Sequence, residues 1–342
     1  MFCCNLRNKQ YCFGNQQLTQ EQYEQKKAEW DLSSRAVYER AKGFFAEMML
    51  TMAWHRALEQ QQTEDVHGNY ITESKSVENG YFVDKVHTAV NVLRGYDFQD
   101  TLDCVSPGLS QLTYLCCFVG LQAYEVRFSF SCYESHDLEY CAFCQNCENC
   151  FGCVGLRGKQ YYIFNKPYSE EAYHALKAQL VEYMKSTGEY GQFFPGYFSP
   201  APYDETISGY YWPLDKSQQE QLGFRYAAPV EKHNAGYRSV EEIPDTPEGW
   251  TDSMYQHVYW DEVAGKPFQI TKQDVAFAKK MGVPLPDSHY MRRIQENLRW
   301  MPFDGKLRTT TCAQSGKTIE TSWPAAYDGR ILSEEAYNQM VV

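Results

Sequence analysis

The stretch CAFCQNCENCFGC, residues 141–153, decides how this chain is read. Cys141, Cys144, Cys147, Cys150 and Cys153 follow one another at every third position. A strand turns successive side chains to opposite faces, so a period of three scatters five thiols over both faces of any regular strand. Corners between very short strands would reset the phase and gather them on one side. Three chemistries compete for such a stretch: a disulfide ladder, a metal cage and the filling of a narrow core.

The disulfide ladder is disfavoured. The chain has 13 cysteines, an odd number, and its start, MFCCNLRNKQ, carries no basic segment followed by an apolar one. Reduced thiols and a cytoplasmic location are the expectation. The metal cage has the knuckle spacing C-x2-C in its favour. A bacterial ferredoxin run ends C-x3-C-P, whereas here the last spacing is two and Val154 follows. The two knuckles of a zinc ribbon are usually a dozen or more residues apart, and Cys144 and Cys150 are separated by only five. Zinc held by Cys141, Cys144, Cys150 and Cys153 stays open as the alternative. The preferred reading is structural thiols with no cofactor, because Cys is compact, apolar when protonated and readily buried.

The surroundings support a core. Between residues 69 and 165 helix formers thin out. Apolar clusters recur around Phe82, Val92, Cys104, Cys117, Phe128, Tyr140, Phe151 and Tyr162, at intervals of 10 to 13 residues. Short strands at such regular spacing mark a solenoid, sandwich or barrel. Asn79-Gly80 is the best tight-hairpin signal among few. Corners such as Glu134-Ser135-His136-Asp137 suit a winding backbone better. The expected fold is mainly β with flanking helices: a central parallel β-helix-like solenoid, with a β-sandwich as the alternative.

An internal repeat with an offset of 150 residues organises the chain. CCNLRNKQYCFGNQQLTQEQYEQKKA from Cys3 recurs as CVGLRGKQYYIFNKPYSEEAYHALKA from Cys153. Leu6, Arg7, Lys9, Gln10, Tyr11 and Asn15 return as Leu156, Arg157, Lys159, Gln160, Tyr161 and Asn165. Each copy reads as strand, polar turn, then helix. Thr19 or Ser169 stands at the helix N-cap, with Glu21 or Glu171 in the first turn. Cys12 is replaced by Tyr162, a swap that a core position tolerates and a metal ligand does not.

The whole repeat-bearing segment CENCFGCVGLRGKQYYIFNKPYSEEAY, residues 147–173, with GEYGQFFPGYFSP (188–200) and GKPFQITKQDVAFAKKMGVPLP (265–286), resembles a Cys/Tyr-rich protein family of candidate-phylum bacteria, itself uncharacterised. Some members carry a CaiB/BaiF label, which implies a CoA transferase; no residues here support that chemistry. The resemblance implies two zinc-ribbon-like pieces near the C-terminus, both degenerate. Around 265–286 the flanks hold Trp260, Asp261, Asp287 and His289 in place of cysteines. In the last segment only Cys312 survives, with Ser315, Ser333 and Ala336 at the other ligand positions.

The remaining signals exclude more than they assign. A formal charge of −12 opposes binding to a long polyanion. Nucleic acid would have to meet the locally basic Lys279, Lys280, Arg292, Arg293 and Arg299, which read more simply as a solvated face. There is no apolar run long enough for a membrane helix, so no membrane partner is expected. GKT at 316–318 lacks the first glycine of a phosphate-binding loop, Gly152, Gly155 and Gly158 form no dinucleotide fingerprint, and the His residues are scattered. The aromatic, Pro/Gly-punctuated region 188–249 suits wrapping.

The expected organisation is four parts. Residues 1–62 form the first repeat and a helical segment, 63–165 the solenoid, 166–250 a helix and wrapping segment, and 251–342 the ribbon-like region. The expected function is a non-enzymatic binding or scaffold protein that meets a protein partner or itself through Tyr-rich faces. A zinc-binding regulatory or nucleic-acid-associated protein is the first alternative and an enzyme the second.

Overall fold

The computed structural model describes residues 1–227, 236–298, 300 and 305–341. The chain divides into two units: Leu58–Tyr203 with Leu214–Arg225, and Met1–Ala57 with Asp204–Pro213 and Tyr226–Val342.

The first unit is the expected parallel β-solenoid. A nine-stranded sheet runs from Gln60–Gln61 to Lys166–Pro167, with every strand beside its neighbours in sequence. Tyr96 lies opposite Gly108, Tyr124 opposite His136, and Cys150 opposite Tyr162. All these pairs are parallel and twelve residues apart, which sets the length of one coil. Only the last pair of strands, Gln160–Ile163 with Lys166–Pro167, is antiparallel.

The backbone explains the period of three. From Tyr70 to Leu121 every third residue has a positive φ near +50°, for example +57° at Asn79 and +55° at Leu112. A left-handed residue turns the chain, so each coil is four walls of three residues. Within each wall the residue after the turn points inward. Ile71, Val77, Val86, Cys104 and Val119 occupy such positions and are buried. The phase problem of the cysteine run is therefore solved by a corner at every third position. Asn and Asp adopt this conformation more readily than most residues and hold many corners, including Asn79, Asn91, Asp97, Asp100 and Asp103. Asn79-Gly80 is thus a corner between walls and not a hairpin turn. Its side chain joins an exterior ladder: Asn79 donates to Asn91 at 2.9 Å, and Asn91 to Asp103 at 2.7 Å.

Between Tyr70 and Phe164 one residue breaks the rhythm. Leu121 and Gln122 are both left-handed, and from Gln122 to Phe164 the corners recur in a phase shifted by one. The register between the strands Gly108–Tyr114 and Gly120–Arg127 shifts at the same place. Gln122 is an extra residue absorbed as a bulge.

The solenoid ends in a built cap. The antiparallel turn at Phe164 and Asn165 leads to Ser169, whose hydroxyl accepts from Ala172 N and starts the helix Glu170–Thr187. Tyr173 of that helix is fully buried with Phe151 and Ile163. Lys177 reaches the buried Glu139 at 3.0 Å, where the Tyr190 hydroxyl also donates at 3.2 Å. The turn back at Lys166–Pro167 thus pairs the last parallel strand, Gln160–Ile163, which would otherwise present an open edge.

The second unit contains the first copy of the repeat, and the likeness extends to dihedral angles. Phe2, Asn5, Asn8, Tyr11, Gly14 and Asn15 have positive φ, as do Gly152, Gly155, Gly158, Tyr161, Phe164 and Asn165, each 150 residues on. Asn15 Oδ1 accepts from Cys4 N at 2.9 Å, and Asn165 Oδ1 from Val154 N at 2.8 Å. Cys12–Phe13 and Gln16–Gln17 pair antiparallel as their counterparts do. Thr19 and Gln22 form the expected capping box on the helix Gln20–Ala28. Residues 1–28 therefore repeat the conformation of the solenoid's last turn and its capping helix.

The helix Arg35–Thr51 follows, with Ser34 as its N-cap. The helical segment stops there rather than near residue 62. Strand His55–Arg56 pairs in parallel with Ile331–Leu332 instead, a partner remote in sequence that local propensity does not reveal. Farther on, the hairpin Tyr259–Asp261 with Lys266–Phe268 leads to the helix Lys272–Met281. A second hairpin, Arg308–Thr311 with Thr318–Thr321, is followed by the helix Glu334–Met340. Gly316-Lys317-Thr318 forms the tip and return of that hairpin, so the segment has none of the strand-to-helix context of a phosphate loop.

Candidate functional site

Within the solenoid, Cys141, Cys144, Cys147 and Cys150 are the four inward residues of one coil, and Cys153 opens the next coil above Cys141. Cys141, Cys144, Cys150 and Cys153 are 0% exposed. Their S–H groups point at backbone carbonyls: Cys141 Sγ lies 3.4 Å from Glu139 O, Cys150 Sγ 3.4 Å from Glu148 O, and Cys153 Sγ 3.4 Å from Phe151 O. Each is the carbonyl two residues back, so the geometry repeats around the coil.

Burial pushes the Cys141 and Cys147 thiols up. Cys150 and Cys132 are raised by their hydrogen bonds to Cys153 and Cys144 together with burial. Cys144 is drawn down by the thiols of Cys132 and Cys141, and Cys153 by those of Cys141 and Cys150. Among the described residues no group of three or more His, Cys, Asp or Glu side chains is arranged to hold a metal ion.

On the exterior of the same unit lies a shallow groove of ≈ 390 Å³. Gln99 and Gln111 occupy successive coils in register, and Tyr124 continues their column on the next one. Gln122, the extra residue, borders the groove beside them, as do Lys85, His87 and Asp97. Ser110, an inward residue, contributes to its lining.

The inward serines of neighbouring coils show what Ser110 lacks. Ser74 Oγ donates to Thr72 O and accepts from Val86 N, while Ser135 Oγ donates to Tyr133 O and accepts from Cys147 N. Ser110 is 6% exposed, and its Oγ is buried without a hydrogen-bond partner. Ser110 stands where the register shifts, opposite Ala123 on the next coil. Sequence reasoning missed this groove, because a single inserted residue in a twelve-residue period is invisible until the strands are paired.

In the second unit, Asp261 and Cys312, two of the positions that the resemblance sets at ligand places, are buried among hydrogen-bond donors. Asp261 is 1% exposed. Its Oδ1 accepts from Val263 N and Ala264 N, both at 3.0 Å, and from Arg292 at 3.0 Å. Its Oδ2 accepts from His289 N at 2.9 Å. Burial opposes the charge of Asp261, but these donors outweigh it and hold the carboxyl below the usual range. Near the C-terminus, Cys312 Sγ accepts from Ser315 N at 3.5 Å and Ser333 N at 3.3 Å, and Ser333 Oγ accepts from Ala336 N. Burial opposes ionisation of Cys312, but the Ser315 hydroxyl and then the amides of Ser333, Ser315 and Gln314 bring the thiol down to about 6. One thiolate with Ser315, Ser333 and Ala336 does not make a tetrahedral zinc site.

The basic residues are dispersed in role. Arg292 is engaged by Asp261 and Glu296, and Arg293 donates to Ser288 O. Lys279 and Lys280 are exposed in the last turn of their helix. Arg299 lies outside the described residues. No helix of the described residues is long and apolar enough to cross a membrane.

Fold and site together define a parallel β-solenoid protein with a thiol-filled interior. No family model, curated protein or solved structure matches the chain.

Proposed function

We propose that this is a cytoplasmic, non-enzymatic binding or scaffold protein, related to the Cys/Tyr-rich family that its sequence resembles. The observation that carries this reading is the direction of its chemistry. Its densest nucleophiles, the thiols of 141–153, face the solenoid axis and bond to carbonyls. The exterior, by contrast, repeats polar and aromatic side chains in register every twelve residues. A surface built that way recognises a partner through many fixed contacts and offers a substrate no activated group. The two ribbon-like pieces are structural relics in this reading. Asp261 and the Cys312 cluster hold them with hydrogen bonds where relatives would use metal.

Elemental analysis joined to native thiol alkylation tests it. Protein purified without added metal should carry no stoichiometric zinc, and the thiols of 141–153 should react only on unfolding. About one zinc per chain with loss of fold on chelation would replace this reading with the zinc-dependent one. Rapid native alkylation of a single solenoid thiol would favour an enzyme.

A further inference from the structure

We infer that the groove at the Gln122 bulge is a binding site for a neutral saccharide chain. The inference rests on the binding-protein reading above and gives it a place and a ligand class.

The groove's chemistry selects the ligand. Gln99, Gln111 and Gln122 supply side-chain amides, each with donors and an acceptor. Two of them stand one above the other on adjacent coils, about 4.8 Å apart as parallel strands are. Hydroxyl groups both donate and accept, so an array of vicinal hydroxyls can match an array of amides without leaving either side unpaired. Tyr124 is 43% exposed at the end of the amide column. Its ring offers a flat apolar platform with a polar tip, which suits the C–H face of a pyranose. Lys85 and Asp97 carry opposite charges, so the formal charge of the lining cancels with His87 neutral.

The same features disfavour other occupants. A nucleic acid needs a run of cations, and Lys85 is the single Lys or Arg of the lining. A peptide strand adds to an open sheet edge, whereas the groove lies on the face of paired coils. A lipid or drug-like ligand needs a deep apolar pocket, and this groove is shallow with amides along its length.

The register shift adds to the groove's polar lining: it lies where Gln122 borders the groove beside Gln111 and Tyr124.

The full-length protein is titrated calorimetrically with neutral tetrasaccharides of glucose, xylose, mannose and N-acetylglucosamine, up to about 10 mM. An acidic peptide, a basic peptide and a single-stranded RNA serve as comparison ligands. At least one tetrasaccharide should bind, with an affinity unmoved by about 0.5 M salt. Tyr124→Ala and Gln111→Ala should each weaken it about tenfold. Tyr183→Ala, an exposed position on the helix Glu170–Thr187, should leave it unchanged. Circular dichroism checks that every variant is folded. If no tetrasaccharide binds, or binding survives both groove variants, the inference falls. Groove-dependent binding of a peptide alone would also overturn it while leaving the binding-protein reading in place. Cleavage of a bound saccharide would instead overturn the non-enzymatic reading and keep the groove.

Discussion

The backbone N–H of Cys141 donates to the hydroxyl of Ser129 at 3.1 Å, one coil below it. Ser129 and Cys141 occupy equivalent inward positions, and Ser129 Oγ donates to Arg127 O just as Cys141 Sγ donates to Glu139 O. Serine is thus already accommodated in this column. Cys141→Ser should keep the fold at a cost of about 1 kcal/mol, because the new hydroxyl finds the same carbonyl. Cys141→Leu should cost about 3 kcal/mol by overfilling the coil. Urea denaturation compares the two; a collapse with serine would show that sulfur itself is indispensable.

Close stacking makes a second prediction at Gly120. A Cβ there would stand 2.1 Å from the carbonyl oxygen of Gly108 on the coil below. Gly120→Ala must separate the coils and should cost about 3 kcal/mol. Gly158 is a useful contrast: its φ is +61°, but nothing lies within 4 Å of its missing Cβ. Gly158→Ala should cost about 1 kcal/mol, the conformational penalty alone. Thermal unfolding of the two variants separates crowding from backbone strain.

Asp261 ties four residues together with one carboxylate. Asp261→Ala leaves two turn amides, the His289 amide and Arg292 without their acceptor, and should destabilise its unit by about 3 kcal/mol. The folded carboxyl titrates below its unfolded value of about 3.9. Its contribution is therefore present above about pH 4 and lost as pH falls through the folded pKa. The acid limb of a stability profile should flatten below pH 4 in the variant relative to the parent.

His55 acts over a milder range. Its ring is buried against Trp323, with centroids 4.2 Å apart, and Nε2 lies 2.8 Å from Met49 O. Burial lowers its pKa despite that carbonyl. The unfolded histidine takes a proton near pH 6.5 while the folded one resists, so stability declines as pH falls below about 6.5. His55→Phe should remove that slope, as followed by chemical denaturation between pH 7 and 5.

Much of the solenoid was legible in the sequence. The threefold spacing of Cys141 to Cys153 demanded corners, and the 150-residue repeat announced a strand, turn and helix that the structure reproduces down to Asn15 and Asn165. The coil length of twelve was blurred, because apolar residues such as Phe82 and Phe128 sit at corners and mix with the inward set. The pairing of His55–Arg56 with Ile331–Leu332 was hidden, since two-residue strands carry no periodicity. The groove was hidden too: Gln122 looks like any glutamine until its neighbours fall out of step.

Four walls of three residues also dictate how such a protein can change length over generations. Removing twelve consecutive residues, such as 129–140, brings Cys141 to the place of Ser129 with every side chain still facing as before. Removing ten or eleven turns the interior outward along everything downstream unless a bulge like that at Gln122 absorbs the error. Viable length variants of this solenoid should therefore differ by whole walls of three residues, and by whole coils of twelve where the cap must stay on its wall, and a deletion scan read by solubility would reveal that arithmetic.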